Sequence, residues 1–336
     1  MSDIQYLPDP GLEAAVQVAL ELGMPLLVTG EPGTGKTQAA YWAAKHLGYL
    51  SADGKRSIPL QKSVLRFNTK TTSVAKDLFY RYDAIRHFRA SRIEQKESGG
   101  KDKDLSTLQF VSFEALGKAI LAGTPERRFV VLIDEIDKAP RDFPNDVLFE
   151  FEDMAFRIEE ADARDFETVP ENFWATRPEL LELGVQLDKV TPRPGQQLEL
   201  APNAPKPLLI LTSNSEKNLP DAFLRRCVFY HIPFPENTPE GKKRLTDIVT
   251  QNVRLSDATS KMLDKIILKF LEIRKKNLRK PPATAELISW VRILEQRGID
   301  LDKATNGDEE MRAKLLQTYP ILAKNQEDYN KLTNLD

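Results

Sequence analysis

The chain is poor in the residues that build covalent or metal frameworks. Its one cysteine, Cys227, cannot close an internal disulfide, and it has no cysteine or histidine company of zinc-site spacing. It reads as a small buried residue entering a strand. Long apolar runs are also missing. The longest are about five residues, such as Phe129–Ile133, against the roughly 20 that a membrane helix needs. Met1–Pro10 has neither a basic start nor an apolar core, so no signal peptide is expected and the chain is read as cytoplasmic. An excess of positive charge is absent too: 48 Lys and Arg face 50 Asp and Glu, a formal charge of −2. A dedicated nucleic-acid binder usually shows a clear basic surplus. What remains is an ordinary soluble balance, 41% hydrophobic and 29% charged, over 336 residues. That length suits one large domain and a smaller one.

Helical apolar spacing at Leu12, Ala15, Val16, Ala19 and Leu20 predicts a helix over 12–22 that Gly23 stops. Pro25–Thr29 reads as a short strand, and Gln38–Leu47 as a helix. Further apolar runs lie at Val64–Phe67, Phe129–Ile133, Leu208–Thr212 and Val228–Phe234. Short runs apolar along their whole length, separated by helical stretches, predict an α/β fold with a parallel sheet covered on both faces. Arg86–Asp104 is dense in charge and contains Gly99 and Gly100. It reads as a solvated helix end and loop, or as a contact surface for a partner. Asp162–Pro207 is proline-rich and lies between two core strands, so it reads as an insertion. Beyond Pro235 the pattern turns helical, with Met262, Leu263, Ile266, Ile267, Phe270 and Leu271 in register, then Leu287, Ile288, Val291 and Leu294. The stretch from Thr305 is polar and weakly patterned.

Between the first strand and the following helix stands Gly30-Glu31-Pro32-Gly33-Thr34-Gly35-Lys36-Thr37, then Gln38. Its glycines permit backbone angles that wrap N–H groups around phosphate oxygens. The next helix points its positive end at the same anion. Lys36 can reach the β- and γ-phosphates of a nucleoside triphosphate, and the Thr37 hydroxyl can ligate Mg²⁺. A second motif follows Phe129–Ile133, an apolar strand ending in Asp134-Glu135. At the C-terminal end of a parallel strand those acids face the ligand crevice. Asp134 suits Mg²⁺ through its water shell, and Glu135 suits a base that polarises water. Asp137 and Lys138 read as facing solvent or a neighbouring subunit.

GEPGTGKT, VVLIDEIDKAP and ILTSNSEKNLPDAFLRRC, in that order, resemble the motifs of AAA+ ATPases, most of all the MoxR-like and dynein-related group. FNTKTTSVAKDLFYRYDAIRHF, over 67–88, resembles a segment of the same group, and the likeness spans about residues 5–300. It implies a P-loop αβα sandwich with a five-stranded parallel sheet over 1–235, with inserts at about 66–104 and 162–207. A helical lid over 236–304 and a tail over 305–336 follow. It implies that Asn214, otherwise a turn former after a strand, is sensor 1 and helps place the attacking water. Arg225 and Arg226, otherwise two surface cations, match the arginine-finger region, with Arg226 the better fit. The sensor 2 arginine is missing from Lys280–Glu286, leaving Lys280 or Arg292 as substitutes. The segment Arg66–Glu97 would include an insert in helix 2, and Asp188–Leu200 a hairpin before sensor 1.

The resemblance further implies an ATPase that forms a ring, usually a homo-hexamer, and acts as a chaperone-like remodeller of a protein client, often one with a von Willebrand factor A domain. A nucleotide-gated switch or scaffold with slow hydrolysis is the second reading. A nucleic-acid motor is the third, resting on Lys269, Arg274, Lys275, Lys276, Arg279 and Lys280, which a solvated lid face also explains.

Overall fold

The computed structural model describes residues 6–46, 64–97, 105–125, 127–185, 187, 190–215 and 219–333. Gly99 and Gly100 of the charged stretch, Asp188 at the start of the expected hairpin, and Leu47 lie outside the described residues. The chain divides into two units: one comprises Pro10–Thr29 and Thr37–Tyr230, the other Met1–Asp9, Gly30–Lys36 and His231–Asp336.

The first unit contains α1 (Pro10–Leu22), β1 (Leu26–Gly30, whose last residue already belongs to the other unit), most of α2 (Lys36–His46) and β2 (Val64–Asn68). Next come β3 (Tyr80–Tyr82), α3 (Ala84–Glu97), β4 (Val111–Phe113), α4 (Ala115–Ala122), β5 (Val130–Asp134), β6 (Ala155–Arg157), β7 (Gln197–Glu199), β8 (Leu208–Ser213) and β9 (Val228–Ile232). The fold is α/β. Its five-stranded sheet runs in the order β2-β5-β8-β1-β9, with β2–β5, β5–β8 and β8–β1 paired in parallel. The three central strands are buried along their whole length, as strands covered on both faces must be. The edge strand β9 instead alternates, with Phe229 and His231 exposed. Leu12, Ala15, Val16 and Ala19 turn inward from α1, which ends before Gly23 at φ 63°.

Both insertions contain structure of their own. β3 and β4 pair antiparallel around α3. In the second, β7 pairs antiparallel with β6. Trp174, Leu180, Leu183 and Leu198 are buried there, and Trp174 stacks on Phe113 with ring centroids 5.9 Å apart. The Arg177 guanidinium lies over Phe113 and Phe173 and donates to the carbonyls of Leu108 and Val111. The region is an aromatic subcore whose elements are too short for periodicity to reveal.

The second unit is helical beyond β9. It holds α5 (Pro239–Asn252), α6 (Asp257–Lys275), α7 (Thr284–Arg297), α8 (Glu309–Leu316) and α9 (Gln326–Thr333). Thr238 and Ser256 cap α5 and α6 through their hydroxyls, and α7 ends at Gly298 with φ 58°. Leu263, Ile266, Ile267 and Phe270 pack with Leu287, Trp290, Val291 and Leu294 in one core. Residues 305–333, read from the sequence as a tail, share it through Leu315, Tyr319, Leu322 and Leu332. The buried Trp290 indole donates to Thr318 Oγ1 at 2.7 Å. Asp328, fully buried, accepts from the backbone N–H groups of Arg279 and Lys280 at 2.8 and 3.1 Å. Spacing missed this segment because its helices are one or two turns long and meet the core at scattered positions.

Candidate nucleotide site

β1 runs into the glycine loop, whose turns demand glycine at two positions. Gly33 has φ 81° and Gly35 φ 91°, where a side chain is strained, and a Cβ on Gly35 would also come within 2.8 Å of the Tyr6 ring. Thr34 Oγ1 donates to the Glu31 carbonyl at 2.8 Å and draws the loop into a tight curve. Lys36 Nζ donates to the carbonyls of Gly30 and Glu31 at 2.8 and 3.0 Å, so its ammonium stays at the loop. Pro32 and Glu31 are exposed on the outer side. No acid stands in the first turn of α2, which leaves that helix end positive.

Thr37 follows in α2, with Gln38 half-buried beside it. The Thr37 hydroxyl lies 3.2 and 3.3 Å from the two carboxylate oxygens of Asp134 at the end of β5. β2 and β8 flank β5, and each sends one side chain to the same carboxylate. Arg66 Nη2 of β2 pairs with Asp134 Oδ2 at 2.6 Å, and Thr212 Oγ1 of β8 donates to Oδ1. Asp134 itself is only 6% exposed. A carboxylate so covered requires such partners.

The next residue breaks from the strand. Glu135 has φ 59° and ψ 52°, a left-handed conformation uncommon for glutamate. Its N–H donates to Thr212 Oγ1 at 2.9 Å, which holds the turn. Its side chain projects outward, half exposed, and Lys138 Nζ donates to Glu135 Oε2 at 2.5 Å. That contact and the neighbouring acids raise the Lys138 pKa. Lys138, expected to face only solvent or a neighbour, is thus the partner of Glu135 while remaining half exposed.

Asn214 is exposed directly after β8. Arg225 and Arg226 are exposed at the end of the helical turn Asp221–Leu224, and Arg226 Nε pairs with Glu152 of its own chain at 3.0 Å. In the helical unit, Arg292 donates to the Asn252 carbonyl at 3.4 Å, while the backbone of Lys280 is held by Asp328. Among the described residues, Arg274 is a cation of the helical unit that meets the glycine loop. It pairs with Glu31 at 2.9 Å, lies 3.5 Å over the Phe234 ring and donates to the Pro282 carbonyl. Sequence reasoning placed Arg274 on a solvated basic face. Its side chain is 13% exposed, and an aromatic residue just before a helical domain was the signal it could have used. Arg66 also had a signal, as the lone cation inside the apolar run 64–67; Thr212 had none.

The donors suit one hard divalent cation. Thr37 and Asp134 offer a hydroxyl and carboxylate oxygens, and Mg²⁺ takes one or two such ligands while keeping waters and binding substrate phosphates. Among the described residues no group of three or more His, Cys, Asp or Glu forms a metal cage, and this mode of binding needs none.

No known family model and no curated protein matches the chain. Solved structures similar to it include the AAA domain of FIGL-1, at 13% identity and TM-score 0.39, covering 97% of this chain and 85% of that one. NtrX from Brucella abortus in complex with ADP is similar at 11% identity and TM-score 0.39, covering 94% of this chain and 69% of the other. Likenesses this faint say nothing about what the chain binds or does.

Proposed function

We propose that the chain is a Mg²⁺-dependent ATPase of the AAA+ type, of the MoxR-like group its motifs resemble. The observation that carries this is the Thr37–Asp134 contact: the residue directly after a phosphate-type glycine loop meets the acid at the end of a central parallel strand. Peptide N–H groups of Gly33–Lys36 and the Lys36 ammonium would bind the phosphates, and Thr37 with Asp134 would hold Mg²⁺. The metal would neutralise charge on the phosphate oxygens. Water adds to the γ-phosphorus as the bond to the β–γ bridging oxygen breaks; ADP and phosphate leave, and the water's proton passes to Glu135 and on to solvent. Asn214 would help place that water. Arg226, aided by Arg225, would stabilise the developing charge in a neighbouring subunit's site of a homo-hexamer. Remodelling of a protein client, one with a von Willebrand factor A domain, is the work we assign to the turnover.

Lys36→Ala is expected to abolish ATP binding, measured by anisotropy of a fluorescent analogue. Glu135→Gln should keep binding and lose at least about a hundredfold in turnover, the usual size of a base's contribution. Undiminished phosphate release from the Gln variant would remove Glu135 from its role.

The Lys138–Glu135 pair supports a second reading, a slow nucleotide-gated switch, because an ammonium held on one carboxylate oxygen competes with the attacking water for the base. The nucleic-acid reading is weakened, since Arg274 points to the loop and not outward.

A further inference from the structure

Asp134, the acid read as a magnesium ligand, already carries a cation of the chain's own. Its Oδ2 is held by Arg66 at 2.6 Å, while the Thr37 and Thr212 hydroxyls approach from the neighbouring elements. The carboxylate is covered, whereas the Arg66 side chain is 43% exposed and reaches in from β2, the edge of the sheet. A covered carboxylate without a counter-charge is costly, so some cation must neutralise Asp134 when no metal is bound. A guanidinium and a dication on one carboxylate repel each other, and the long arginine side chain is the member free to swing into water.

We propose that Arg66 is the resident counter-ion of Asp134, a positioning residue that keeps the carboxylate ordered and yields it to Mg²⁺. This rests on the ATPase reading, in which Asp134 serves the metal. Arg66 therefore competes with the divalent ion and sets how much of it the site requires. The competition is electrostatic and partly exposed, so salt screens it.

Mn²⁺ in the presence of ADP serves as the probe, with free Mn²⁺ read by electron paramagnetic resonance on the full chain. Arg66→Gln removes the charge but keeps a donor. It should tighten Mn²⁺ binding about threefold at low salt, the size expected of a partly exposed pair, and the gain should shrink in high salt. Arg66→Lys, which keeps the charge, should bind Mn²⁺ like the parent. Without metal, Arg66→Gln should melt earlier than the parent, and Mn²⁺ should restore it more than it raises the parent. Unchanged or weaker Mn²⁺ binding by Arg66→Gln overturns the exchange. Asp134→Asn separates the two layers. If it loses Mn²⁺ while Arg66→Gln shows no gain, only the exchange fails; if it binds Mn²⁺ as the parent does, the metal role of Asp134 fails and the exchange with it.

Discussion

Thr69 follows β2 directly, its N–H donating to the Asp134 carbonyl at 3.1 Å, and its buried hydroxyl has no hydrogen-bond partner among the described residues. A buried hydroxyl without a partner costs stability, and replacing it by a methyl of the same shape is neutral or favourable. Thr69→Val should therefore leave the unfolding free energy within about 0.5 kcal/mol of the parent or raise it, measured by urea denaturation. A loss of about 2 kcal/mol or more, on the order of a broken buried hydrogen bond, would show that the hydroxyl has a partner such as water. Cys227, read from the sequence as a buried residue entering a strand, stands directly before β9 and is half-buried, and its burial pushes the thiol up to about 12, which suits an inert side chain at neutral pH. At this scale the positions of the glycine loop between β1 and α2, and of Asp134 and Glu135 at the end of β5, were legible because glycine spacing and an acid pair closing an apolar strand show in the sequence. Of their partners, Arg66 left only its place as a lone cation in the apolar run 64–67 and Lys138 only its closeness in sequence to Glu135, while Thr212 left no signal, because a contact between neighbouring strands leaves no spacing in the chain.

Among elements, the strands were the most legible. Val130–Ile133 and Leu208–Leu211 are apolar because both faces are covered, and that pattern is visible in one dimension. The short pieces were not: β6 and β7 owe their existence to each other across some forty residues. The junction of α6 with the glycine loop shows how a long-range contact governs an element. Arg274 closes the last turn of α6, stacks on Phe234 and pairs with Glu31. Arg274→Ala should destabilise the helical unit by about 2 kcal/mol, since it removes a cation–π contact and hydrogen bonds of a covered charge. Glu31→Gln should cost well under about 1 kcal/mol because Glu31 is half exposed and solvent screens its share. Equal losses from the two changes, in chemical denaturation of the full chain, would mean the ion pair and not the stacking anchors the turn.

For the molecule as a whole, residues 305–333 complete the helical core and are not an appendage, and Asp328 ties them to the 279–280 backbone. Burial works against its charge, but donation from the Arg279 N–H, the Asn325 amide and the Lys280 N–H, with Lys331 nearby, outweighs it and holds the carboxyl below its ordinary 3.8. A folded pKa below the unfolded one means stability that is full above the unfolded value and lost as pH falls through the folded one. Asp328→Asn should therefore melt earlier than the parent at neutral pH, with the gap narrowing as pH drops below 3.8. A gap constant with pH, monitored by circular dichroism melts, would show that the charge of Asp328 contributes nothing.

The helical unit is assembled from three separated lengths of chain, 1–9, 30–36 and 231–336. A ribosome delivers the last of these some two hundred residues after the second. Until then Gly33 lacks Ala283 and Ala285 beside it, Glu31 lacks Arg274, and the loop has only its own bonds, Thr34 and Lys36 to the Gly30 and Glu31 carbonyls, to set its curve. The other unit, from 10 to 230 apart from that loop, is by then already synthesised. A nascent chain that stops short of residues 274–285 thus carries every residue of the glycine loop without the neighbours that flank it, and on the ATPase reading such a chain would hold nucleotide more weakly than one that extends past them.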